Sequence, residues 1–426
     1  MRRFSRTRVL VSALMLLSAG AAFGSGFSIF EQGAKATAMG GAFAATADDP
    51  SAIFYNVAGI AQQRHTSFYA GGTLINFANE FNGDPNDAFA SGQKGFYKRH
   101  TFIPPNAYAI MPIGSNFTFG VGVMTPFGLR TNWEDPWAGR FASRDANIKV
   151  VSVEPAIAWQ SASGTIAVGG GIEYRRARVV LARNAGLINP FLGGHISDVA
   201  STYLSSDWEN GTGWNVGVLF KPGTWRLGAS YRAPMTIDFK GDLTVTQIPT
   251  GTPLDALAAA GLPPSQGVST SIPFPATFNA GIATTAIPNW DFEFDVTHTT
   301  WSRFERLTVV GDAAGTTLID RPQNWEDTMS FRLGANHMVN ANWDVRLGAV
   351  YDENPQPVEA VSPLLPDSDR MGVTFGVGYR HGNWFVDATE FVLHFKKRGT
   401  QGASEDINGT YKTDANLISL NLGYRF

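Results

Sequence analysis

The chain has 426 residues, of which 44% are hydrophobic and only 16% are charged, with a formal net charge of −3. This charged fraction is well below the roughly 25% that is typical of soluble domains. The absence of cysteine excludes disulfides, zinc–thiolate sites and thiol catalysis. Because the near-neutral charge gives no overall basic field, we expect no nucleic-acid partner.

Residues 1–24 have the features of a secretory signal peptide. Arginines near the N-terminus precede an apolar stretch at 9–17, and Ala22 and Gly24 stand at positions −3 and −1 of a cleavage site before Ser25. The apolar stretch is too short for a membrane helix, and no later stretch reaches the ~18 apolar residues that such a helix needs. The exported chain is therefore expected to be soluble or to cross a membrane as a β-barrel.

Residues 25–65 differ from the rest of the chain because they are rich in Ala and Gly. We expect a short helix over 30–39 and irregular structure after Pro50. The segment could be a solvated tail or a plug inside a barrel. Its apolar side chains favour the plug, namely Phe27, Ile29, Phe30, Ile53, Phe54 and Tyr55.

From residue 66 to the C-terminus, apolar residues alternate with polar residues or glycine, as in half-buried strands. Trp343, Val345 and Leu347, for example, alternate with Asp344, Arg346 and Gly348. The pattern predicts fourteen strands, an even number as in bacterial single-chain barrels. They cover 66–77, 101–113, 117–132, 148–161, 165–182, 207–221, 225–241, 269–285, 289–302, 328–339, 343–353, 369–381, 384–399 and 413–426.

Three features favour an outer-membrane barrel over a soluble sandwich, which gives the same alternation. Very short turns alternate with long polar connections such as 183–206 and 242–268. Four strands that follow short turns begin with Trp, as in an aromatic girdle at a membrane interface; these are Trp225, Trp290, Trp343 and Trp384. The chain also ends in a strand closed by Phe426, which is similar to the signal read by the barrel assembly machinery.

One predicted strand, 384–399, changes its pattern along its length. Trp384, Val386 and Ala388 are apolar, and then the apolar positions shift to Phe391, Leu393 and Phe395. One extra residue near Thr389 or Glu390 would produce this shift, so we expect a β-bulge there.

Short motifs in a fixed order make the whole exported chain resemble the FadL-type transporters of long-chain fatty acids and hydrocarbons. They include Gly40–Gly41–Ala42, Asp48–Asp49–Pro50–Ser51, Tyr55–Asn56–Val57–Ala58–Gly59, Thr125–Pro126–Phe127–Gly128–Leu129, Ile237–Asp238–Phe239–Lys240–Gly241, Trp301–Ser302–Arg303–Phe304 and Leu365–Pro366–Asp367. The family's hatch carries Asn-Pro-Ala, whereas this chain has Asn56, Val57 and Ala58. This departure puts in question any mechanism that relies on a rigid proline.

The resemblance implies an all-β fold: a fourteen-stranded antiparallel transmembrane β-barrel (66–426) with an N-terminal hatch (25–65) in its lumen. It also implies passive uptake of hydrophobic molecules, chiefly long-chain fatty acids, without a cofactor. Molecules would be captured outside, bind in the barrel, and leave sideways through a gap at a kinked third strand. The cell location would be the outer membrane of a Gram-negative bacterium, and the partners would be the ligand, outer-membrane lipid and lipopolysaccharide. We expect a monomer.

Several residues are candidates for these steps. Pro126, Phe127 and Gly128 interrupt the third strand, because proline lacks a ladder donor and glycine often marks a bend; an ordinary strand end is the alternative. Phe27 would lie at the hatch tip beside the ligand. A fatty carboxylate needs a cation, and Arg176, Arg178 and Arg321 are the candidates by resemblance, although register alone does not say which of Arg175, Arg176 and Arg178 faces inward.

Other functions remain open from the sequence. A general diffusion porin would need an open lumen, which the hatch segment opposes. An outer-membrane lipase would need a paired Ser and His, and no motif places them. The long loops would permit a role as an adhesin or phage receptor. The seven histidines have no metal-ligand spacing, so no metal is expected.

Overall fold

The computed structural model describes residues 26–87, 89–98, 100–313, 315–400, 402–404 and 407–426. The predicted signal peptide lies outside these residues. The described part of the chain forms one closed antiparallel barrel of fourteen wall strands, which confirms the predicted fold class. Closure comes from the pairing of the first and last strands, from Ser67 with Arg425 to Gly83 with Gly409.

The wall strands follow one another around the barrel in chain order. They are β1 (Ser67–Gly83), β2 (Thr101–Phe102 and Pro105–Ile113), β3 (Phe117–Met124 and Gly128–Asn132), β4 (Asp145–Gln160), β5 (Ile166–Asn189), β6 (His195–Ser206 and Glu209–Phe220), β7 (Trp225–Arg232 and Met235–Gln247), β8 (Gln266–Phe274 and Thr277–Thr284), β9 (Trp290–Thr299 and Arg306–Gly311), β10 (Thr328–Met338), β11 (Trp343–Asp352), β12 (Arg370–His381), β13 (Trp384–Phe395) and β14 (Gly409–Arg425).

Short pieces complete the secondary structure. Three further strand segments extend the sheet towards the long loops, at Lys94–Phe96, Thr317–Pro322 and Arg398–Gly399. The α-helices are α1 (Ala34–Ala38), α2 (Ala52–Tyr55) and α3 (Leu254–Gly261), and 3-10 turns cover Val57–Gln62, Ala138–Phe141, Pro190–Leu192, Trp301–Arg303 and Val358–Ala360. The predicted helix over 30–39 is thus shorter than expected, because Gly33 and Met39 bound it.

The outer face of the wall is apolar, as the alternation predicted. Ile418, Leu420 and Leu422 of β14 are about half exposed, while Ser419 and Asn421 between them are buried towards the lumen. Trp225, Trp343 and Trp384 are also about half exposed at the short-turn end of the barrel. Such outward apolar bands with aromatic ends match a barrel that faces lipid.

Several predicted long loops are partly strand. β5 continues to Asn189 and β6 begins at His195, so that much of 183–206 extends the sheet beyond the expected strand ends. The sequence did not reveal this extension because above the membrane both faces of a strand meet polar surroundings, and the apolar alternation fades.

The bulge predicted near Thr389 or Glu390 is wrong. The pairing of β13 with β12 and β14 runs without a shift through these residues. Asp387 and Thr389 face inward, and so do Phe391, Leu393 and Phe395 farther along the same strand. The change in pattern therefore records a change in the lumen, from polar at the short-turn end to apolar towards the long loops.

Residues 26–63 lie inside the barrel, and we call them the inner segment. Almost all of its side chains are buried. Wall glycines make room for its backbone: a side-chain carbon at Gly228, Gly348 or Gly376 would collide with Ala44, Gly40 or Ala38 respectively. The location of this segment explains why its sequence is rich in small residues.

Candidate functional site: an aromatic chamber beside a gap in the wall

The third strand leaves the wall ladder where the sequence predicted a kink. β3 pairs with β2 as far as Ala107 and Val123, and its second half, from Gly128, pairs only with β4 among the described residues. Continuing the β2–β3 register would bring Pro104 and Pro105 opposite Pro126 and Thr125. Because proline has no backbone N–H to donate, the ladder cannot continue there, and the wall has a gap.

The inner segment takes the place of the missing neighbour at this gap. The Ile29 N–H donates to the Pro126 carbonyl and the Gly128 N–H donates to the Phe27 carbonyl, both at 2.9 Å. The Gln32 side chain donates to the Thr125 carbonyl at 2.7 Å and accepts from the Thr125 N–H at 3.1 Å. Backbone groups that the kink frees are thus satisfied by the inner segment, as a buried wall requires.

A cleft of about 300 Å³ lies in the wall at the gap. Its lining includes residues of the inward face of the wall, Phe102, Phe127 and Ile148, and also residues of the outward face, Lys149 and Val151. Only an interruption in the sheet lets both faces line one cleft. The lining is mainly apolar, so the cleft suits a hydrocarbon chain.

Phe27 fills an aromatic chamber on the lumen side of the gap. Its ring centroid lies 4.7 Å from that of Trp301 and 5.8 Å from those of both Phe127 and Phe274. Phe304 and Trp325 complete the surroundings at 6.3 and 6.0 Å. Ring pairs at these separations and tilted angles are favourable, and the phenyl ring of Phe27 is almost fully buried.

The backbone before Phe27 is held by a loop carboxylate. Gly26 has φ of 66° and lies against the Trp301 indole, a combination that leaves no room for a side chain. Its N–H donates to Asp367 Oδ2 at 2.9 Å, in the connection between β11 and β12. Burial raises the pKa of the Asp367 carboxyl to about 7, and the Gly26 amide and Arg370 partly oppose this rise.

Arg175 of the wall reaches the chamber with its guanidinium group. Its guanidinium carbon lies 4.6 Å from the Phe127 ring centroid and 4.9 Å from that of Phe274. It is paired with Glu173 at 2.7 Å, and Glu173 also contacts Arg232. Arg232 in turn contacts Glu154 at 2.7 Å, so two arginines and two glutamates form a balanced cluster next to the aromatic rings.

The structure answers which arginine of β5 faces inward, a question that the sequence left open. Arg175 faces the lumen, and Arg176 and Arg178 alternate with it and face outward. Arg176 lines the outer part of the cleft near Trp208, and Arg178 donates to the Ser206 carbonyl at 3.0 Å. A role of Arg176 and Arg178 in ligand binding stays a prediction.

Arg321 lies in the extension between β9 and β10, far along the chain from the kink. It lines an apolar crevice of about 90 Å³ together with Leu204, Leu243 and Val309. Arg183 is a second cation of this crevice. The structure therefore brings Arg321 next to an apolar surface near the long loops, and not to the chamber.

The predicted hatch motif lies at the end of α2. The Asn56 side chain donates to the Ala44 carbonyl at 2.7 Å and to the Val218 carbonyl of β6 at 3.1 Å, and it accepts from the Ala58 N–H at 3.2 Å. Val57 begins a 3-10 turn that packs against Gly169 of the wall. Asn56 thus holds this turn together and links it to the wall without a proline at position 57.

A pair of wall carboxylates holds the middle of the inner segment. Asp295 Oδ2 accepts from the N–H groups of Phe43 and Ala44, both at 2.8 Å, and Glu293 accepts from Ala45 and Thr46 at 2.6 and 3.0 Å. Arg332 adds a bond to the Gly40 carbonyl at 3.1 Å. We call this part of the lumen, at the short-turn end, the floor.

Several of these residues were not singled out from the sequence. Strand alternation gives Glu293 and Asp295 no special role among inward-facing polar residues, and it does not decide which arginine of β5 faces the lumen. The consecutive prolines Pro104 and Pro105 carried a usable signal, because two prolines in a predicted wall strand already indicate broken pairing. The aromatic neighbours of Phe27 come from four separate parts of the chain, and only the fold brings them together.

Two absences apply to the part of the chain that the structure describes. It contains no helix that is long and apolar enough to cross a membrane. It also contains no cluster of three or more His, Asp or Glu residues suited to a metal ion.

Comparison with known proteins agrees with this architecture. The solved structure of a Pseudomonas aeruginosa FadL homologue superposes with a TM-score of 0.81 at 21% identity, covering 95% of this chain and 100% of that one. The Pseudomonas putida toluene transporter TodX superposes with a TM-score of 0.71 at 15% identity, covering 94% and 98%. At these identities the likeness establishes the fold.

Sequence comparison establishes the family. A long-chain fatty acid transport protein of Escherichia coli O6:H1 (strain CFT073) is 26% identical over 99% of this chain and 98% of its own length. A 47 kDa outer membrane protein of Pasteurella multocida is also 26% identical, with the same coverage. The family model described as outer membrane protein transport protein (OMPP1/FadL/TodX) matches residues 15–426. This chain therefore belongs to the FadL family of outer-membrane transporters for hydrophobic substrates.

Proposed function

We propose that this protein takes up long-chain fatty acids passively across the outer membrane, with the aromatic chamber as the binding site and the wall gap as the lateral exit. The observation that carries this proposal is the cleft lined by both faces of the wall, which begins at Phe127 of the chamber. The inner segment acts as a hatch that closes the lumen to water. No cofactor takes part.

Lateral exit suits an apolar cargo for an energetic reason. Leaving through the floor would expose the chain to water at about 0.8 kcal/mol per methylene, or roughly 10 kcal/mol for a sixteen-carbon chain. The gap lets the chain pass from an apolar chamber to the membrane without that step. The polar floor, held by Glu293 and Asp295, offers no comparable apolar route.

Arg175 supports a carboxylic acid as cargo. It is the chamber cation, and its partner Glu173 has a second cation in Arg232, so that an incoming carboxylate can share Arg175 without leaving Glu173 unpaired. The apolar crevice at Arg321 and Arg183 is the proposed first capture site, since it combines apolar lining with cations near the long loops. Insertion by the barrel assembly machinery, contact with lipopolysaccharide and a monomeric state complete the proposal.

A neutral hydrocarbon is the second candidate cargo. The chamber is built almost entirely from aromatic side chains, and its cation is already paired with a wall carboxylate. The toluene transporters share the fold. Mass spectrometry of small molecules extracted from the purified protein would separate the two, because an acid and a hydrocarbon differ directly in composition.

The lateral exit is tested by closing the gap. Pro126→Val and Gly128→Thr in β3, together with Pro104→Val and Pro105→Thr in β2, restore ladder donors on both strands. We expect this variant to fold and to bind ligand at the long loops, but to take up labelled oleate only at the rate of cells without the protein. The matched control is Pro112→Val, because Pro112 lies in the paired part of β2 opposite Thr118. Oleate uptake at the wild-type rate, with a closed wall seen by crystallography, would contradict lateral exit and favour a route through the hatch.

A steady open pore would argue for the porin alternative. Single-channel recording in planar bilayers separates the two, because a hatched barrel conducts little and a general porin conducts continuously.

A further inference from the structure

Three cations stand on the outward face of the wall beside the gap, and two of them, Lys149 and Arg176, line the cleft, whereas Arg178 is bonded to Ser205 and Ser206. Lys149 of β4 pairs across the ladder with Gly128 of the kink on one side and with Arg178 of β5 on the other. Arg176 of β5 pairs with Val151, two residues from Lys149 on the same face. Lys149 and Arg176 are therefore diagonal neighbours on adjacent strands, a separation that long side chains bridge.

The charge of these two side chains is not neutralised locally. Within the described residues neither forms an ion pair, and Arg176 has the Trp208 ring 5.8 Å away as its aromatic neighbour. Some exposed cations elsewhere on the strands do have acidic partners, such as Arg306 with Asp320 at 2.6 Å and Lys412 with Asp414 at 3.9 Å. The two unpaired charges are thus placed together at the mouth of the cleft.

The same cleft offers an apolar surface directly beneath the charges. Val151, Ile103 and Trp208 line it on the outward side, and Phe102 and Phe127 line it towards the lumen. Gly128 lies opposite Lys149 and carries no side chain to obstruct the path between them. The arrangement combines an apolar channel with a cationic mouth, which is the complement of an amphiphile with one anionic end.

We propose that Lys149 and Arg176 form a receiving site for the carboxylate of an acyl chain that leaves the barrel through the gap. The inference rests on the proposed function, since it needs a carboxylic acid to leave by this route. A carboxylate is costly to place in hydrocarbon, and charge-assisted bonds to a lysine and an arginine at the outer boundary of the cleft compensate for its lost water. The site would speed the exit of acids and leave neutral molecules unaffected.

The dimensions favour a single-chain acid over a lipopolysaccharide phosphate as the occupant. The cleft of about 300 Å³ is at the small end of the range for small-molecule sites. A lipopolysaccharide anchor carries several acyl chains and would lie across the wall outside the cleft. The cleft also reaches Phe127, whose ring packs against Phe27 in the chamber, so the lumen is its nearest source of occupants.

The test removes both charges and compares an acid with its neutral ester. In the variant Lys149→Gln with Arg176→Gln, we expect uptake of labelled oleate to fall roughly fivefold, as for the loss of exposed charge pairs, while uptake of methyl oleate stays at the wild-type rate. The variant Lys149→Arg with Arg176→Lys should keep oleate uptake. Lys397→Gln is the matched control, because Lys397 is an exposed cation just beyond the end of β13, five strands around the barrel from β4.

Three results would overturn the receiving site. Unchanged oleate uptake in the double Gln variant would show that the charges do not act on the acid. An equal loss for oleate and methyl oleate, accompanied by less lipopolysaccharide copurified with the protein, would identify a lipid-binding site instead. A wild-type protein that carries neither molecule would overturn the proposed function together with the inference, whereas the first two results leave the proposed function standing.

Discussion

The floor and the chamber hold the same inner segment by different means. In the floor, Glu293 and Asp295 accept four backbone N–H groups, and directional bonds fix the segment in one position. In the chamber, Phe27 is surrounded by aromatic rings, and most of its contacts have no required direction. A bound hydrophobic molecule can replace Phe27 with similar contacts, whereas nothing apolar can replace the bonds of the floor.

β13 carries this division within a single strand. Asp387 accepts from Arg346 at 2.6 Å and from the Tyr69 hydroxyl at 3.0 Å near the short-turn end. Farther along, Phe391, Leu393 and Phe395 face the same lumen and are buried among apolar side chains. The lumen is thus polar at the floor, where hydrogen bonds hold the inner segment. It is apolar towards the long loops, where the proposed function places the exchange of a ligand.

The largest expected effect comes from removing the inner segment altogether. Deletion of 25–60 should leave a folded barrel, because the wall strands satisfy most of their own hydrogen bonds. The deleted protein should conduct ions steadily in planar bilayers, where the full chain barely conducts. Deletion of α3 (254–261), which lies in a long connection, is the control and should leave the barrel closed. Equal conductance of the 25–60 deletion and the full chain would mean that the segment is not a plug.

The second prediction weakens the floor alone. In the variant Glu293→Gln with Asp295→Asn, an NH₂ group replaces one of the two Glu293 oxygens that accept from Ala45 and Thr46, and a buried donor left without a partner costs about 1–3 kcal/mol. We expect transient openings at least roughly tenfold more often than in the wild type, measured as single-channel events. Glu390→Gln is the control, since Glu390 lies on the outward face of β13. An unchanged opening frequency would show that the carboxylate pair does not hold the segment.

The third prediction weakens the chamber alone. Phe27→Ala removes the side chain that competes with a ligand, and burying a Phe side chain is worth about 1.5–3 kcal/mol. Oleate affinity should therefore rise roughly tenfold. Quenching of the fluorescence of Trp301 and Trp325 on binding measures this affinity. Ile60→Ala, which truncates the same segment against Gly120 of the wall, should leave the affinity unchanged. Affinity that does not respond to Phe27→Ala would mean that the ligand binds away from this chamber.

The smallest expected effect is a pH dependence of how tightly the inner segment is held in the lumen, which we call docking. Burial raises the pKa of Asp49 to about 6 and that of Asp367 to about 7. With the inner segment in place, these two carboxyls therefore keep protons that they lose when the segment leaves the lumen. Docking is therefore strongest below about pH 4, where both carboxyls are protonated in either state, and weakens as the pH rises through 6 and 7. Single-channel openings should be more frequent at pH 8 than at pH 5.

Two variants divide this pH dependence between the regions. Asp49→Asn should remove the part that belongs to the floor, and Asp367→Asn the part that belongs to the chamber. A pH profile that is identical in both variants and in the wild type would show that neither carboxyl controls docking.

The outward face of the wall was well predicted from the sequence, because side chains that face lipid have to be apolar. Ile418, Leu420 and Leu422 could be placed from alternation alone. The inward side chains follow no single pattern, since each of them packs against a different part of the inner segment. For this reason the shift at Phe391 was misread as a bulge, although the strand is regular.

The candidate site was predictable in part. Pro126 and Gly128 indicated the kink, because a proline acts on the backbone locally. The side chain that faces the chamber was not predictable among Arg175, Arg176 and Arg178, since one residue of register reverses every side chain of a strand. The contact between Asp367 and Gly26 joins residues 341 apart in sequence, and no local pattern contains it.

The hydrogen bonds between the inner segment and the kink of β3 couple the inner segment to the wall. The Phe27 carbonyl and the Ile29 N–H, which flank Ser28, bond to Gly128 and Pro126, so in the proposed mechanism a molecule that displaces the Phe27 ring also strains these two bonds. Thermodynamic linkage then requires the reverse effect as well. Any occupant that widens the cleft lowers the free energy needed to displace the Phe27 ring from the chamber by the same amount. If the proposed function holds, binding in the chamber and opening of the lateral exit are therefore coupled, so that a cargo favours the opening of the exit when it binds in the chamber.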